Sequence, residues 1–196
     1  MFFAGTDKWN SWSRRLGALL QVAMVCLLAP RAAAQDAVTD LEYKVKAGYL
    51  FNFAKFVDWP PGSFPDADSP FIIAVIDKGE VIPILEKVLA NKTVHGRTVL
   101  VRQVTAEAIP RDAHILLVTR AAGVTPESVR NALGNAPTLL VGETEQFAER
   151  GGVIGFVREN ESVRLTLCLE HASENQLKIS ARLASVARSV RSKLTN

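Results

Sequence analysis

The sequence is poor in the residues that build covalent or metal-bound frameworks. It contains two cysteines and three histidines among 196 residues, which excludes a disulfide-rich scaffold. No cluster of histidine, cysteine and carboxylate residues has the spacing of a zinc site, and no G-x-S-x-G or comparable nucleophile motif occurs. The sequence therefore predicts no catalytic residue, no metal and no cofactor, and it favours a binding protein over an enzyme.

The apolar run near the N-terminus is too short for a comfortable membrane span. Leu16–Leu28 comprises 13 residues, whereas a spanning helix needs about 20. A basic stretch precedes this run and the small residues Ala32–Ala34 follow it, which is the order of a secretory signal peptide. We therefore expect residues 1–34 to be a signal peptide cleaved after Ala34, leaving an exported domain over 35–196. An uncleaved N-terminal anchor is the alternative.

The charge of the exported part is balanced. Removing residues 1–34 leaves 19 basic and 19 acidic residues, so the sequence pI of about 9.0 belongs to the leader. Affinity for phosphates depends on clustered positive charge, so we expect no nucleic-acid partner.

Only Cys168 survives removal of the leader, so an intramolecular disulfide is impossible in the exported chain. Alternation along the predicted strand 162–170 places Cys168 on the same face as Arg164 and Thr166. Two interpretations follow. Cys168 is either a buried, inert thiol or a candidate intermolecular thiol that links two chains.

Apolar runs alternate with helical patterns along the exported chain. Phe71–Ile76 is a continuous apolar run, typical of a strand buried on both faces, and Thr125 with Pro126 predicts a helix start. The remaining predicted strands are 98–104, 113–119, 138–141, 153–158 and 162–170, and the other predicted helices are 41–58, 80–90 and 172–190. This order predicts an α/β fold: a single domain with a mixed, mostly parallel sheet, a C-terminal antiparallel hairpin and helices on both faces. His114, at the start of one strand, is interpreted as a hydrogen-bonded core histidine.

The predicted helix 41–58 carries the first candidate site. Its apolar stripe has helical spacing and consists of Leu41, Val45, Tyr49, Phe53 and Phe56. Its polar arc contains Lys44, Lys55 and Asp58, and Phe51 lies in the middle of that arc. A large aromatic ring surrounded by charges is typical of a partner-binding hot spot. The alternative is that a neighbouring loop covers Phe51.

A second candidate site lies at the carboxyl ends of the predicted parallel strands. Open α/β sheets commonly bind ligands at this edge, which would include residues 77–79 and Thr119 with Arg120. The alternative function is therefore a small-molecule-binding module, which would not need the protein partner inferred for Phe51.

Four segments, in order, resemble the YfiR family, which is also catalogued as a domain of unknown function. They are Ala47–Pro60 (AGYLFNFAKFVDWP), Ala113–Val118 (AHILLV), the stretch from Phe147 to Phe156 with its glycine-led strand, and Leu177–Leu183 (LKISARL). The resemblance implies a periplasmic regulator that binds the periplasmic region of an inner-membrane diguanylate cyclase and holds it inactive. It also implies that an OmpA-like outer-membrane lipoprotein sequesters the regulator, that cyclic di-GMP signalling and biofilm formation are thereby controlled, and that the regulator is a homodimer. The surface near 151–152 and the C-terminal helix are further candidate contacts.

The sequence departs from the family pattern at its cysteines. Ala113 stands where the family often has cysteine, Cys168 stands where asparagine is common, and the paired cysteines of other members are absent. Disulfide-based stabilisation and redox control are therefore not expected here.

Overall fold

The computed structural model describes residues 39–79, 81–160 and 162–191. The predicted signal peptide 1–34 and its cleavage point after Ala34 lie outside the described residues. The chain divides into two units, Met1–Leu41 and Glu42–Asn196, and only the last three residues of the first unit are described.

An eight-stranded sheet forms the centre of the second unit, with strand order β10-β8-β7-β6-β5-β2-β4-β3. The strands are β2 Phe71–Ile76, β3 Thr93–Val94, β4 Arg97–Val104, β5 Ile115–Val118, β6 Leu139–Gly142, β7 Ile154–Glu159, β8 Ser162–Cys168 and β10 Ser189–Arg191. The neighbouring strands β4, β2, β5, β6 and β7 are parallel, and so is the β8–β10 pair. The β7–β8 and β3–β4 pairs are antiparallel. The predicted fold class, with its C-terminal hairpin, is confirmed.

Helices cover both faces of this sheet because its central strands are apolar on both faces. In β2, Ile73 and Val75 face one core while Ile72, Ala74 and Ile76 face the other. The first core also receives α1 (39–56), α2 (Ile82–Leu89), α4 (Leu169–Glu174) and α5 (Ala181–Ser185), and the second receives α3 (Pro126–Leu133). As predicted, the Thr125 side chain caps α3, accepting a hydrogen bond from the backbone N–H of Ser128 at 3.3 Å.

Helix α1 buries only part of the predicted stripe. Phe53 is fully buried and Tyr49 and Phe56 pack against the first core, whereas Leu41 and Val45 are 64% and 44% exposed. Leu50 and Ala54, outside the stripe, are also buried. Apolar residues lie on more than one side of this helix, so contacts with the sheet decide which face is buried.

The helix ends at residue 56, two residues earlier than predicted. The next two residues, Val57–Asp58, form β1, which pairs antiparallel with β9 (Lys178–Ile179) in a separate two-stranded sheet. Pro60 disfavours helical backbone at Trp59, which limits how far the helix can extend.

The predicted helix 172–190 is wrong. Helix α4 ends at Glu174, Gln176 adopts a left-handed conformation (φ 58°), and β9, α5 and β10 follow. Strand β10 pairs in parallel with β8, so pairing with distant residues replaces the local helical pattern. Val186 and Val190, which the predicted helix includes, are 60% and 43% exposed.

The Phe147 ring lies between two glycines on the second core. A Cβ atom on Gly142 or Gly152 would overlap this ring, and at Gly152 it would also lie 2.8 Å from the Phe147 carbonyl oxygen. Gly151 and Gly152 are both buried, so they fix the turn before β7 and offer little surface to a partner.

Candidate functional site

The Phe51 side chain on α1 is half-buried and packs against the first core. Two ammonium groups lie over the ring: the Nζ atoms of Lys55 and Lys92 are 4.1 Å and 5.3 Å from its centroid. Lys55 is one helical turn after Phe51, and Lys92 comes from the turn between α2 and β3. We call Phe51, Lys55 and Lys92 the lysine–phenylalanine surface.

The other two predicted contact residues flank this surface. Lys44 is exposed two helical turns before Phe51, and Asp58 is exposed in β1, where Lys178 is its cross-strand neighbour. Sequence reasoning missed Lys92 because no pattern within α1 points to a turn that follows another helix. The alternative is that a neighbouring loop covers Phe51. In the structure Phe51 is half-buried: its side chain packs on the first core, and Lys55 and Lys92 lie over its ring.

A buried ion pair lies at the carboxyl ends of the parallel strands. Lys46 of α1 places its Nζ atom 2.9 Å from Oε1 of Glu143 and 2.6 Å from Oε1 of Glu42. Lys46 and Glu143 are both 4% exposed. Sequence reasoning missed this pair, and the available signal was Glu143 itself, which follows directly after the buried strand β6.

The second carboxylate oxygen of Glu143 has two further partners. The Tyr43 hydroxyl donates to it at 2.9 Å and the backbone N–H of Arg120 donates at 3.0 Å. Burial, followed by the nearby charge of Glu143 and the hydrogen bond to it, raises the pKa of Tyr43 well above its usual range. Tyr43 is therefore a fixed hydrogen-bond donor.

The same edge of the sheet contains the residues of the second candidate site. Asp77 accepts hydrogen bonds from the Thr119 hydroxyl at 2.7 Å and from the backbone N–H groups of Gly79 and Val81. Partial burial opposes ionisation of Asp77, but these hydrogen bonds outweigh it and lower the pKa. Among the described residues no buried side-chain polar atom lacks a partner, so this edge offers a ligand no unpaired buried group.

At the amino ends of the strands, His114 joins the loop before β2 to the sheet. Its Nδ1 atom accepts the backbone N–H of Ile72 at 3.1 Å, so the ring donates from Nε2 to the carbonyl oxygen of Ser63, also at 3.1 Å. Phe64 and Phe71 stack on the ring at centroid distances of 4.2 Å and 4.8 Å. Burial is the main cause that lowers the pKa of His114, which agrees with the predicted core histidine.

A groove of about 310 Å³ runs beside this loop. Its aromatic lining comes from Trp59, Phe64 and Phe71, and Asp58 and Arg97 contribute charges to its rim. Arg97 lies over the Phe64 ring at 4.1 Å and donates to the carbonyl oxygens of residues 66 and 69. The groove is therefore built on a loop whose shape depends on His114 and Arg97.

The sequence profile of one protein family matches residues 43–188, from the first turns of α1 to the residue before β10. That profile describes YfiR/HmsC-like proteins (DUF4154). The chain belongs to the YfiR/HmsC-like family. Membership supports a regulatory role for the chain, and the four segments that carry the resemblance all fall inside the matched residues.

Two solved structures are similar to this YfiR/HmsC-like chain at low sequence identity. A conserved domain protein from Vibrio cholerae O1 biovar El Tor is 16% identical, with a TM-score of 0.45 over 61% of this chain and 54% of that one. An ABC domain from Streptococcus pneumoniae, crystallised in complex with L-Trp, is 13% identical, with a TM-score of 0.47 over 62% and 55%. The chain thus spans about half the length of each. No curated protein matches the sequence.

Cys168, the candidate intermolecular thiol, is the last residue of β8 in this family member and is 1% exposed. It borders a groove of about 520 Å³ that Arg191 and Glu149 also line. A disulfide between two chains would require this end of β8 to open, and it stays a prediction.

Neither a metal-ligand cluster nor a membrane-spanning helix is present in the described residues. They contain no group of three or more histidine, cysteine or acidic residues that could hold a metal ion. Over the same residues, no helix is both long and apolar enough to cross a membrane.

Proposed function

We propose that this chain is a periplasmic regulator that binds the periplasmic region of an inner-membrane diguanylate cyclase and represses it. Cyclic di-GMP signalling, and with it biofilm formation, is lowered while the complex persists. An OmpA-like outer-membrane lipoprotein is the proposed partner that removes the regulator, and the regulator is proposed to act as a homodimer. Family membership over residues 43–188 is the observation that carries this proposal.

The lysine–phenylalanine surface is the proposed contact with the cyclase. Binding hot spots are enriched in aromatic residues that are held rigidly and are surrounded by residues that exclude water. Phe51 meets this description because the core supports its ring from below while Lys55 and Lys92 lie over it. The matching partner surface is an apolar pocket bordered by acidic side chains.

Repression of this kind requires differential binding and no catalytic residue. A cyclase has to bring two catalytic domains together, and a regulator that binds only the inactive arrangement shifts the population toward it. The size of the shift is limited by the difference in affinity for the two arrangements; a shift from 1:99 to 99:1 needs about 10⁴-fold. The regulator therefore needs a surface that fits one arrangement of the cyclase better than the other.

The first test is a pull-down of the tagged protein from solubilised membranes, followed by mass spectrometry. Recovery of a membrane protein with a cytoplasmic cyclase domain supports the proposal, and cellular cyclic di-GMP should rise when the gene is deleted. Recovery of no such protein, with unchanged cyclic di-GMP, would overturn it.

Variants of the lysine–phenylalanine surface test the contact itself. Phe51→Ala should weaken cyclase binding by about 2 kcal/mol, the level that defines a hot spot. Because Phe51 also packs on the core, the double variant K55E/K92E keeps the ring and tests the charges alone. Leu100→Ala, at a 43% exposed residue of β4, is the control. Binding that stays within about 0.5 kcal/mol of the unmodified protein in both test variants would contradict this assignment.

The small-molecule function at the carboxyl-end edge is the weaker candidate. Asp77 and Thr119 are bonded to each other and to backbone groups. Glu143 is bonded to Lys46, Tyr43 and a backbone N–H, so a ligand would have to displace these bonds. A metabolite screen that raises the melting temperature of the unmodified protein, but not of Asp77→Asn, would restore this candidate.

A further inference from the structure

The positive charge of the exported chain is concentrated at its C-terminal end. From residue 175 onward the sequence has five basic residues and no acidic residue, whereas residues 35–174 have 14 basic and 19 acidic residues. The exported chain is therefore neutral in total but strongly polarised. Such an asymmetry orients a protein in the field of a charged surface.

Within residues 182–191 of this segment, three exposed arginines lie near exposed apolar side chains in the sequence. Arg182 in α5 and Arg191 in β10 are exposed, and no carboxylate of the described residues lies within ion-pair distance of either. Val186 and Val190 lie between them in sequence and are 60% and 43% exposed. We call Arg182, Val186, Arg188, Val190 and Arg191 the C-terminal basic patch.

Two acidic residues lie near this patch: Glu159 of the neighbouring hairpin, and Glu149, which lines a groove together with Arg191. Glu159 of β7 contacts Arg188 at 3.4 Å and Arg164 of β8 at 3.6 Å. A single carboxylate shared by two guanidinium groups leaves an excess of positive charge. Arginines on an outer strand also discourage edge-to-edge pairing, and the Arg182 guanidinium lies over the Phe56 ring at 5.1 Å. Neither observation explains the exposed valines.

We infer that the C-terminal basic patch binds the anionic surface of a phospholipid membrane. Lysine and arginine residues near such a surface each add to the attraction, and apolar side chains among them bury in the headgroup boundary. A flat anionic surface also suits the polarity of the whole chain, because the acidic remainder is repelled from it. An acidic protein segment would fit the arginines but gives no role to this overall polarity.

This inference rests on the proposed function, in which the target is itself anchored in the inner membrane. Attachment to the same membrane would raise the effective concentration of the regulator near its target without any new contact between the two proteins. The attraction should weaken with salt, because the screening length is only about 10 Å at 0.1 M.

The test is sedimentation with vesicles of mixed phosphatidylglycerol and phosphatidylcholine, compared with vesicles of phosphatidylcholine alone. The protein is purified as the cell produces it, and its N-terminus is determined by mass spectrometry, because an uncleaved leader would itself bind lipid. The unmodified protein should bind the anionic vesicles, and salt should release it. The double variant R182E/R191E should bind at least about tenfold more weakly.

The matched control is K78E/K87E, which changes the net charge equally at two exposed lysines on and before α2. Retained binding in this control supports the patch, whereas an equal loss means that total charge, not the patch, is responsible and overturns the inference. Val186→Asp, at an exposed position, should also reduce binding.

Binding of the unmodified protein to neither vesicle overturns the inference as well. If R182E/R191E then fails to capture the cyclase, the patch binds an acidic protein surface. Cyclase repression that persists without lipid binding leaves the proposed function intact, so the two failures are distinguishable.

Discussion

At the carboxyl ends of the parallel strands a charged side chain, Lys46, is buried against Glu143, whereas at the amino ends a neutral imidazole, His114, joins two segments of backbone. Both arrangements connect an element outside the sheet to strand ends. The first depends on two desolvated charges that need each other, and the second depends on ordinary hydrogen bonds and stacked rings. The comparison indicates that the two ends of one sheet should respond differently to mutation and to pH.

The largest expected effect comes from separating the buried ion pair. Lys46→Met leaves Glu143 buried without its cation, and removal of one partner from a buried pair costs about 3–5 kcal/mol. Urea denaturation should show this loss of unfolding free energy. The double variant K46M/E143L should recover much of it, because neither charge is then left alone. A single variant as stable as the unmodified protein would contradict the assigned role.

His114→Phe should have the next largest effect. It keeps an aromatic ring between Phe64 and Phe71 but leaves the backbone N–H of Ile72 without an acceptor, which costs about 1–3 kcal/mol. The same denaturation experiment measures this loss, and limited proteolysis within residues 60–70 should accelerate. Equal protection of that loop in both proteins would show that the stacked rings alone hold it.

Lowering the pH should reduce stability at the amino ends of the strands, because His114 becomes protonated. Its pKa is lowered below the ordinary value of 6.5, chiefly by burial and also by Arg97, against the opposing effects of the Ser63 carbonyl and Asp112. The unfolded chain therefore binds more protons than the folded chain just below pH 6.5, so stability is full above that pH and falls as the pH is lowered. Stability curves between pH 5 and 7.5 should show this slope, and His114→Phe should lack its part of it.

Arg97→Lys should have the smallest effect. A lysine retains the positive charge but cannot both donate to two carbonyl oxygens in a fixed geometry and stack on Phe64. Because the site is partly exposed, we expect a loss of about 0.5–1 kcal/mol. Thermal denaturation detects a change of this size, and a loss as large as that of Lys46→Met would reverse the proposed ranking of the two ends.

Local signals explain which parts of the fold were predictable. Phe71–Ile76 predicts a doubly buried strand from its own composition, and Thr125 with Pro126 predicts a helix start from two adjacent residues. The prediction for the segment after Glu174 failed because β9 and β10 are defined by pairing with residues far away in the sequence, Val57–Asp58 and Thr166–Cys168.

The candidate site divides in the same way. Phe51 and Lys55 are one turn apart on α1, so helical spacing alone brought them together. Lys92 reaches Phe51 only in the folded chain, from the turn after α2, and Lys46 meets Glu143 across 97 positions of sequence. Neither pairing has a local signal, because the sequence around a helical lysine is the same whether the lysine faces solvent or a buried carboxylate.

Because Phe147 lies between Gly142 and Gly152, the substitutions that each of these three positions can accept depend on the residues at the others. A side chain at 142 becomes acceptable only after 147 has become smaller, so the order of substitutions decides which sequences can be reached. Position 152 differs, because the Phe147 carbonyl oxygen would remain 2.8 Å from a new Cβ whatever the side chain at 147. Directed evolution of this protein should therefore reach alanine at 142 in two ordered steps, while glycine at 152 persists.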